Sequence, residues 1–276
     1  MNIRGHDIGV CSWSLRCKDL AELVGSMRQL GLTHVQLGMR ALLDLDENQR
    51  REQLEHLRRG GIAITAGMMS FAGEDYSTIA MIRRTGGFVP DDFWAQRKEQ
   101  ALAAGELAKE LGIKLLSVHA GFVPPSSDAA YAAVAQRVCE IADAWGEHDI
   151  ELLMETGQET ASELLQFLND LRCRNVAINF DPANMILYGA GDPIEAVRTL
   201  GRHIKHVHVK DATISDRPGT NWGEEVPFGT GQVPPRQFIL TLEEVGYTGP
   251  LVIEREAGDD RVGDVRTAIE TLKSLA

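Results

Sequence analysis

Short runs rich in β-branched residues alternate with longer helical stretches eight times along the 276-residue chain, and this rhythm limits the fold more than any other feature. The strand-like runs are IGVCSW (8–13), THVQLGM (33–39), IAITAGM (62–68), IKLLSVHAG (113–121), IELLMETG (150–157), NVAINFDPAN (175–184), HIKHVHVKD (203–211) and PLVIEREAG (250–258). Between and after them lie stretches with the apolar spacing of one helix face, such as DLAELVGSMRQLG (19–31), where Leu20, Leu23, Val24, Met27 and Leu30 recur at helical intervals. Gly31 stands where a helix C-cap glycine belongs, and Asp91 where an N-cap belongs. Strands that alternate with helices pair in parallel, because each crossover is long enough to return the chain to the same end of the sheet. Eight such units in one chain of this length predict a closed (β/α)8 TIM barrel, a single α/β domain over 1–276. An open dinucleotide-binding sheet lacks its signature, since no GxGxxG follows the first strand and Gly229–Thr230–Gly231 comes too late.

Charge and composition exclude several classes. The chain carries 28 Lys and Arg against 40 Asp and Glu, a formal net charge of −12. A phosphate backbone rewards a basic face, so no nucleic-acid partner is expected. No apolar run approaches the roughly 20 residues of a membrane span, so no membrane partner is expected either. MNIRGHDIGVCSWSL has no signal-type apolar stretch with a small-residue cleavage site, which predicts a cytoplasmic location. Cys11, Cys17, Cys139 and Cys173 show neither metal-ligand nor disulfide-framework spacing, so four reduced thiols are expected. The long irregular stretch from Met69 to Pro90 has the length of a lid or binding loop.

In a barrel of this kind chemistry sits at the C-terminal ends of the strands. Here those ends carry His119, Glu155, Asp181, His206 and His208, and Glu254 and Glu256. Residues i and i+2 of a strand share a side, which groups His206, His208 and Lys210 on one strand and Glu254 with Glu256 on the next. Several carboxylates and imidazoles converging on one rim repel one another unless a cation lies among them. Carboxylates with one imidazole and open positions suit Mn²⁺, Mg²⁺ or Co²⁺, whereas Zn²⁺ favours more His or Cys. Trp13 and Trp222 stand where they can stack on a ligand or simply pack, and Asn184 where it can bond a ligand or set a turn.

The segments LLMETG, NFDPAN, HVHVKD with a later PFGTGQVP, and GPLVIERE, in that order, resemble the sugar phosphate isomerase/epimerase group, whose barrels are xylose isomerase-like and which includes ketose 3-epimerases and inosose dehydratases. The resemblance runs over essentially the whole chain. It implies one divalent metal, Mn²⁺ first among the candidates, held by Glu155, Asp181, His208 and Glu254. It implies Glu155 and Glu254 as the acid/base pair on opposite faces of a small carbohydrate, acting through an enediolate. His119, Asn184, His206, Lys210, Glu256 and Trp13 are then the expected substrate contacts. The same machinery also fits a lyase or dehydratase acting on a keto-inositol or 3-keto-glycoside, with His119, His206 or Lys210 as the acid for the leaving group. Asn184 stands where ketose 3-epimerases usually place a His, and Gln36 where a Glu is common. A phosphodiester-cleaving barrel of the apurinic endonuclease type needs a multi-zinc cluster with several more early histidines than His34 and His119. Association into a homo-oligomer is a further expectation of the resemblance.

Overall fold

The computed structural model of the chain describes residues 1–276. Eight parallel strands form the barrel: β1 (His6–Cys11), β2 (His34–Gly38), β3 (Ala63–Met69), β4 (Leu115–Val118), β5 (Glu151–Glu155), β6 (Val176–Phe180), β7 (Ile204–Val209) and β8 (Leu251–Ile253). Each neighbours the next, and β8 pairs with β1 through Leu251↔Ile8 to Ile253↔Val10, which closes the cylinder. Eight helices surround it: α1 (Leu20–Leu30), α2 (Glu47–Gly60), α3 (Asp91–Glu110), α4 (Ala130–Gly146), α5 (Ala161–Asp170), α6 (Pro193–Leu200), α7 (Pro235–Glu244) and α8 (Arg261–Lys273). The predicted TIM barrel is the observed fold.

Pleat alternation sorts the strand residues into two environments. One set, including Val10, Val35, Leu116, Leu152, Ile178, Val207 and Ile253, is buried in the apolar layer shared with the helices. The other set faces the barrel interior and is polar at its upper end: Cys11, Gln36, Ser117, Asn179, His206 and His208 are all fully buried. Two register shifts adjust this inner face. β3 gains a residue between the partners of Val35 and Gln36, and β7 gains Lys205, so that Asn179 of β6 lies opposite His206. A bulge re-aims side chains in this way at functional barrel ends. It puts His206, His208 and Lys210 on the inner side, while Lys205 is left exposed.

Several boundaries differ from those read in the sequence. The 175–184 run is not all strand: β6 stops at Phe180, and Pro182–Tyr188 is a short helix with Asp181 as its N-cap. An Asp-Pro pair is a helix-start signal, since Pro at N1 has no N–H to lose and a preset φ. Pro90, not Asp91, is the N-cap of α3, because the Asp91 side chain is taken by Arg137 of α4. The 69–90 stretch contains the helix Ile79–Thr85, and the loop after β7 contains a hairpin of Asp211–Thr213 with Glu224–Val226. The expectation of four reduced thiols is corrected. Cys139 on α4 and Cys173, just before β6, form a disulfide with a Cα–Cα distance of 5.3 Å, and only Cys11 and Cys17 are free. A separation of 34 residues carries no sequence signal; the packing of consecutive barrel units brings the pair together.

Residues 70–90 are pinned to the end of β4. Glu74 accepts from Phe71 N (3.0 Å) and Gly87 N (2.9 Å), and Phe88 N donates to Ala120 O at 2.8 Å. Gly87 has φ +60°, and a Cβ there would lie 2.0 Å from the Ala120 carbonyl carbon. The obstacle is backbone, so no side-chain rotation relieves it. Gly87→Ala is expected to destabilise the fold by about 2 kcal/mol or more. Thermal unfolding should show Tm lower by roughly 4–8 °C.

Candidate metal centre

Four strand ends deliver four donor groups to one point. Glu155 ends β5, Asp181 follows β6, His208 lies on β7, and Glu254 follows β8; their exposures are 5%, 0%, 0% and 5%. The His208 Nδ1 atom faces Glu254 Oε2 at 3.1 Å, Glu155 Oε1 at 3.2 Å and Asp181 Oδ2 at 3.3 Å. All four donors lie within 4.8 Å of one another. A single N–H cannot serve three buried carboxylates, and three carboxylates so close repel strongly without a cation. Neighbouring donors around a cation with ~2.1 Å metal–oxygen bonds sit about 3 Å apart, the spacing found here. The four residues therefore fit one divalent ion of the oxygen-favouring kind.

The imidazole is oriented from behind. His208 Nε2 lies 2.5 Å from Gln36 Oε1, so Nε2–H donates to that carbonyl and Nδ1 is left to face the carboxylates. Such outer hydrogen bonds fix the tautomer of a metal-binding histidine. Burial alone would lower the His208 pKa, but the charges of Glu254 and Glu155 outweigh it and push it well above the ordinary histidine value. The position in front of Nδ1 thus attracts positive charge, whether proton or metal. Burial also disfavours the Glu254 carboxylate, yet His208 and Lys210 hold its pKa below the usual range.

Further polar side chains hold these four in place. Lys210 Nζ donates to Glu256 Oε2 (2.7 Å) and Glu254 Oε2 (2.9 Å) and is 2% exposed. Its pKa stands well above the ordinary lysine value, since Glu254, Glu256 and Asp181 outweigh the cost of burial. Trp13 Nε1 donates to Glu254 Oε1 at 2.8 Å. Asn184, on the first turn of the Pro182–Tyr188 helix, donates from Nδ2 to Glu155 Oε1 at 3.1 Å. Glu155 Oε2 is buried without a hydrogen-bond partner and lies 3.3 Å from His119 Nε2.

Of the sequence-expected residues, nine converge here: Glu155, Asp181, His208, Glu254, His119, Asn184, Lys210, Glu256 and Trp13. His206 does not. It is fully buried one layer deeper, with Nδ1 bonded to Asn179 Oδ1 (2.9 Å) and Nε2 to Thr65 Oγ1 (3.0 Å), so the expected substrate contact is corrected. Its burial, and the charge of His208, lower its pKa well below the ordinary value. Three groups escaped sequence reading. Asn179 was recoverable, since it shares a strand side with Asp181. Glu225 comes from the hairpin after β7 and accepts from Arg255 Nη1 at 2.8 Å; no local pattern marks it. Tyr76, in the β3–α3 loop, lies with its ring 6.3 Å from His119, and its carbonyl accepts from Trp222 Nε1 at 3.1 Å. Trp222 packs edge-on against Tyr188 at 4.7 Å, so loops from opposite sides of the barrel meet over the centre.

No helix is long and apolar enough to cross a membrane. Among solved structures, a xylose isomerase domain protein from Planctomyces limnophilus is 36% identical, covering 91% of each chain, with a TM-score of 0.84. A xylose isomerase-like TIM barrel protein from Mycobacterium smegmatis in complex with magnesium is 20% identical over 98% of each chain, with a TM-score of 0.73. A D-psicose 3-epimerase is 17% identical, covering 98% of this chain and 96% of the other, with a TM-score of 0.69. The last two share the fold. The chain spans a little over a third of the length of the curated relatives it matches, 36% and 37%. Residues 24–275 match the model of the xylose isomerase-like TIM barrel family, a match that runs from within α1 to α8 and leaves out only β1 among the barrel strands, so the chain belongs to that family.

Proposed function

We propose that this protein is a divalent-metal-dependent isomerase or epimerase of a small keto-sugar or sugar derivative. The observation that carries this reading is the meeting of three carboxylate oxygens on one imidazole nitrogen at 3.1–3.3 Å, next to a carboxylate oxygen with no partner. Mn²⁺ is the first candidate ion, with Mg²⁺, Co²⁺ and Zn²⁺ as alternatives. A bound ion of this kind supplies Lewis-acid stabilisation of negative charge on a carbonyl oxygen and a template for adjacent oxygens.

The chain's own groups then handle the proton. Glu155 Oε2, aimed at no donor except the nearby His119, accepts it from the carbon next to the carbonyl. Asn184 holds the other Glu155 oxygen and so fixes the rotamer. Glu254 serves the opposite face. Its Oε1 is bonded to the Trp13 indole and its Oε2 to the Lys210 ammonium, whose proton passes through that oxygen to the carbon, while the proton taken by Glu155 leaves to solvent and solvent recharges Lys210. Removal on one face and return on the other inverts the carbon. The aromatic bridge of Tyr76 and Trp222 over the centre suits a small carbohydrate. A lyase or dehydratase reading draws on a different observation: His119 and Lys210 each stand beside one of the two carboxylates, where they can protonate a departing hydroxyl. Mass separates the two, since elimination loses water and epimerisation conserves it.

Chelator-treated protein is expected to bind one Mn²⁺ per chain in a calorimetric titration. Turnover of the responsive member of a keto-sugar panel, read by chiral chromatography and mass, should vanish with chelator and return with Mn²⁺. Binding of none would remove the metal-dependent reading.

Glu155→Gln and Glu254→Gln should each lower kcat by about 10²–10⁴-fold or more while circular dichroism stays unchanged. Full activity in either variant would remove the two-carboxylate mechanism.

A further inference from the structure

Lys210 is in an unusual setting for a lysine. Five oxygens surround its buried ammonium: Glu256 Oε2 at 2.7 Å, Glu254 Oε2 at 2.9 Å, Asn184 Oδ1 at 3.4 Å, Asp181 Oδ2 at 3.7 Å and Glu225 Oε2 at 4.0 Å. An ammonium has three N–H bonds, so directed hydrogen bonds do not account for all five. Such a shell resembles that of a cation. Two of the oxygens, Asp181 Oδ2 and Glu254 Oε2, are also two of the three that face His208 Nδ1. The metal position and the ammonium therefore lie side by side and share two carboxylate oxygens, which is how paired cations share ligands in two-metal centres.

Charge gives the same result. Glu155, Asp181 and Glu254 contribute −3 and a divalent ion +2, which leaves −1, and Lys210 supplies the remaining positive charge. Glu225 is already matched by the Arg255 guanidinium at 2.8 Å, and Glu256 is open to solvent, its side chain 54% exposed.

We propose that the Lys210 ammonium is a built-in second cation, filling from the protein's own chain the position that a second divalent ion would take and so fixing the centre as a one-metal site. This rests on the one-metal reading given above. It deepens that reading: hydrolysis by two ions roughly 3.5–4 Å apart is closed to this chain, and the substrate oxygen that a second metal would hold meets N–H donors instead. The fitting substrate is a neutral carbonyl–hydroxyl compound rather than a phosphodiester.

Metal binding tests this without reference to turnover. Lys210→Ala removes the charge and opens the space; Lys210→Met removes the charge and keeps the space filled. Both are titrated with Mn²⁺ beside the wild-type protein, by calorimetry and by electron paramagnetic resonance. The wild type takes one uncoupled ion. Lys210→Ala takes two, with the spin-coupled spectrum of neighbouring Mn²⁺ ions. Lys210→Met takes one, bound at least tenfold more tightly because the neighbouring positive charge is gone. A purely structural ion pair predicts the opposite: one ion in Lys210→Ala, and equal or weaker binding in Lys210→Met. Those results would overturn the inference while leaving the one-metal reading intact. Should Lys210→Ala not fold, Lys210→Met decides alone. A wild type that binds no Mn²⁺ overturns the one-metal reading and this inference with it.

Discussion

Three carboxylates buried against one imidazole nitrogen set the terms for the rest of this molecule. Glu155, Asp181 and Glu254 are at most 5% exposed, and the mutual repulsion of such groups is costly away from water. Much of the surrounding architecture offsets that cost. The bulge at Lys205 turns His208 inward, Gln36 fixes its ring, and Lys210 and Trp13 donate to Glu254. A layer of polar side chains where a barrel usually packs branched apolar ones is the structural price of the arrangement.

The two glutamates are not equivalent. Both oxygens of Glu254 are bonded, to Trp13 and Lys210, and the cations nearby keep its pKa below the usual range. Glu155 has one oxygen held by Asn184 and one with no donor. A symmetric pair would let the protein work equally from either face of a substrate. In the proposed mechanism this asymmetry makes Glu155 the group that removes the proton. Asn184 orients the first of these carboxylates, donating from Nδ2 to Glu155 and accepting Lys210 at Oδ1.

How much of this was legible in the sequence follows from the range of each interaction. The barrel was readable because every strand and helix announces itself within about ten residues. The site was readable because strand ends must gather at one rim, and period-two alternation groups His208 with Lys210. The role of His206 was less legible, since the alternation gives the side of a strand and leaves a core or a substrate-facing place open. Depth is set by the barrel register, which places His206 opposite Asn179 and near Thr65, 141 residues away. Glu225, the Tyr76–Trp222 bridge and the Cys139–Cys173 pair depend on contacts between loops or helices far apart in sequence, and no local pattern encodes them.

The deeper polar layer has its own consequence for the centre. Thr65, His206 and Asn179 form a hydrogen-bonded chain across the barrel interior, and Asn179 Nδ2 lies 3.2 Å from His208 Nε2. Burial keeps His206 neutral, so one of its nitrogens must donate and the other accept. That requirement turns the Asn179 amide oxygen to His206 and its Nδ2 toward His208 Nε2, which leaves Gln36 Oε1 as the acceptor of the His208 Nε2–H. The surroundings of the His208 ring are thereby tied to Thr65 of β3, 141 residues from His206 of β7. A residue too deep to meet substrate still governs the geometry of the one imidazole that faces the carboxylates.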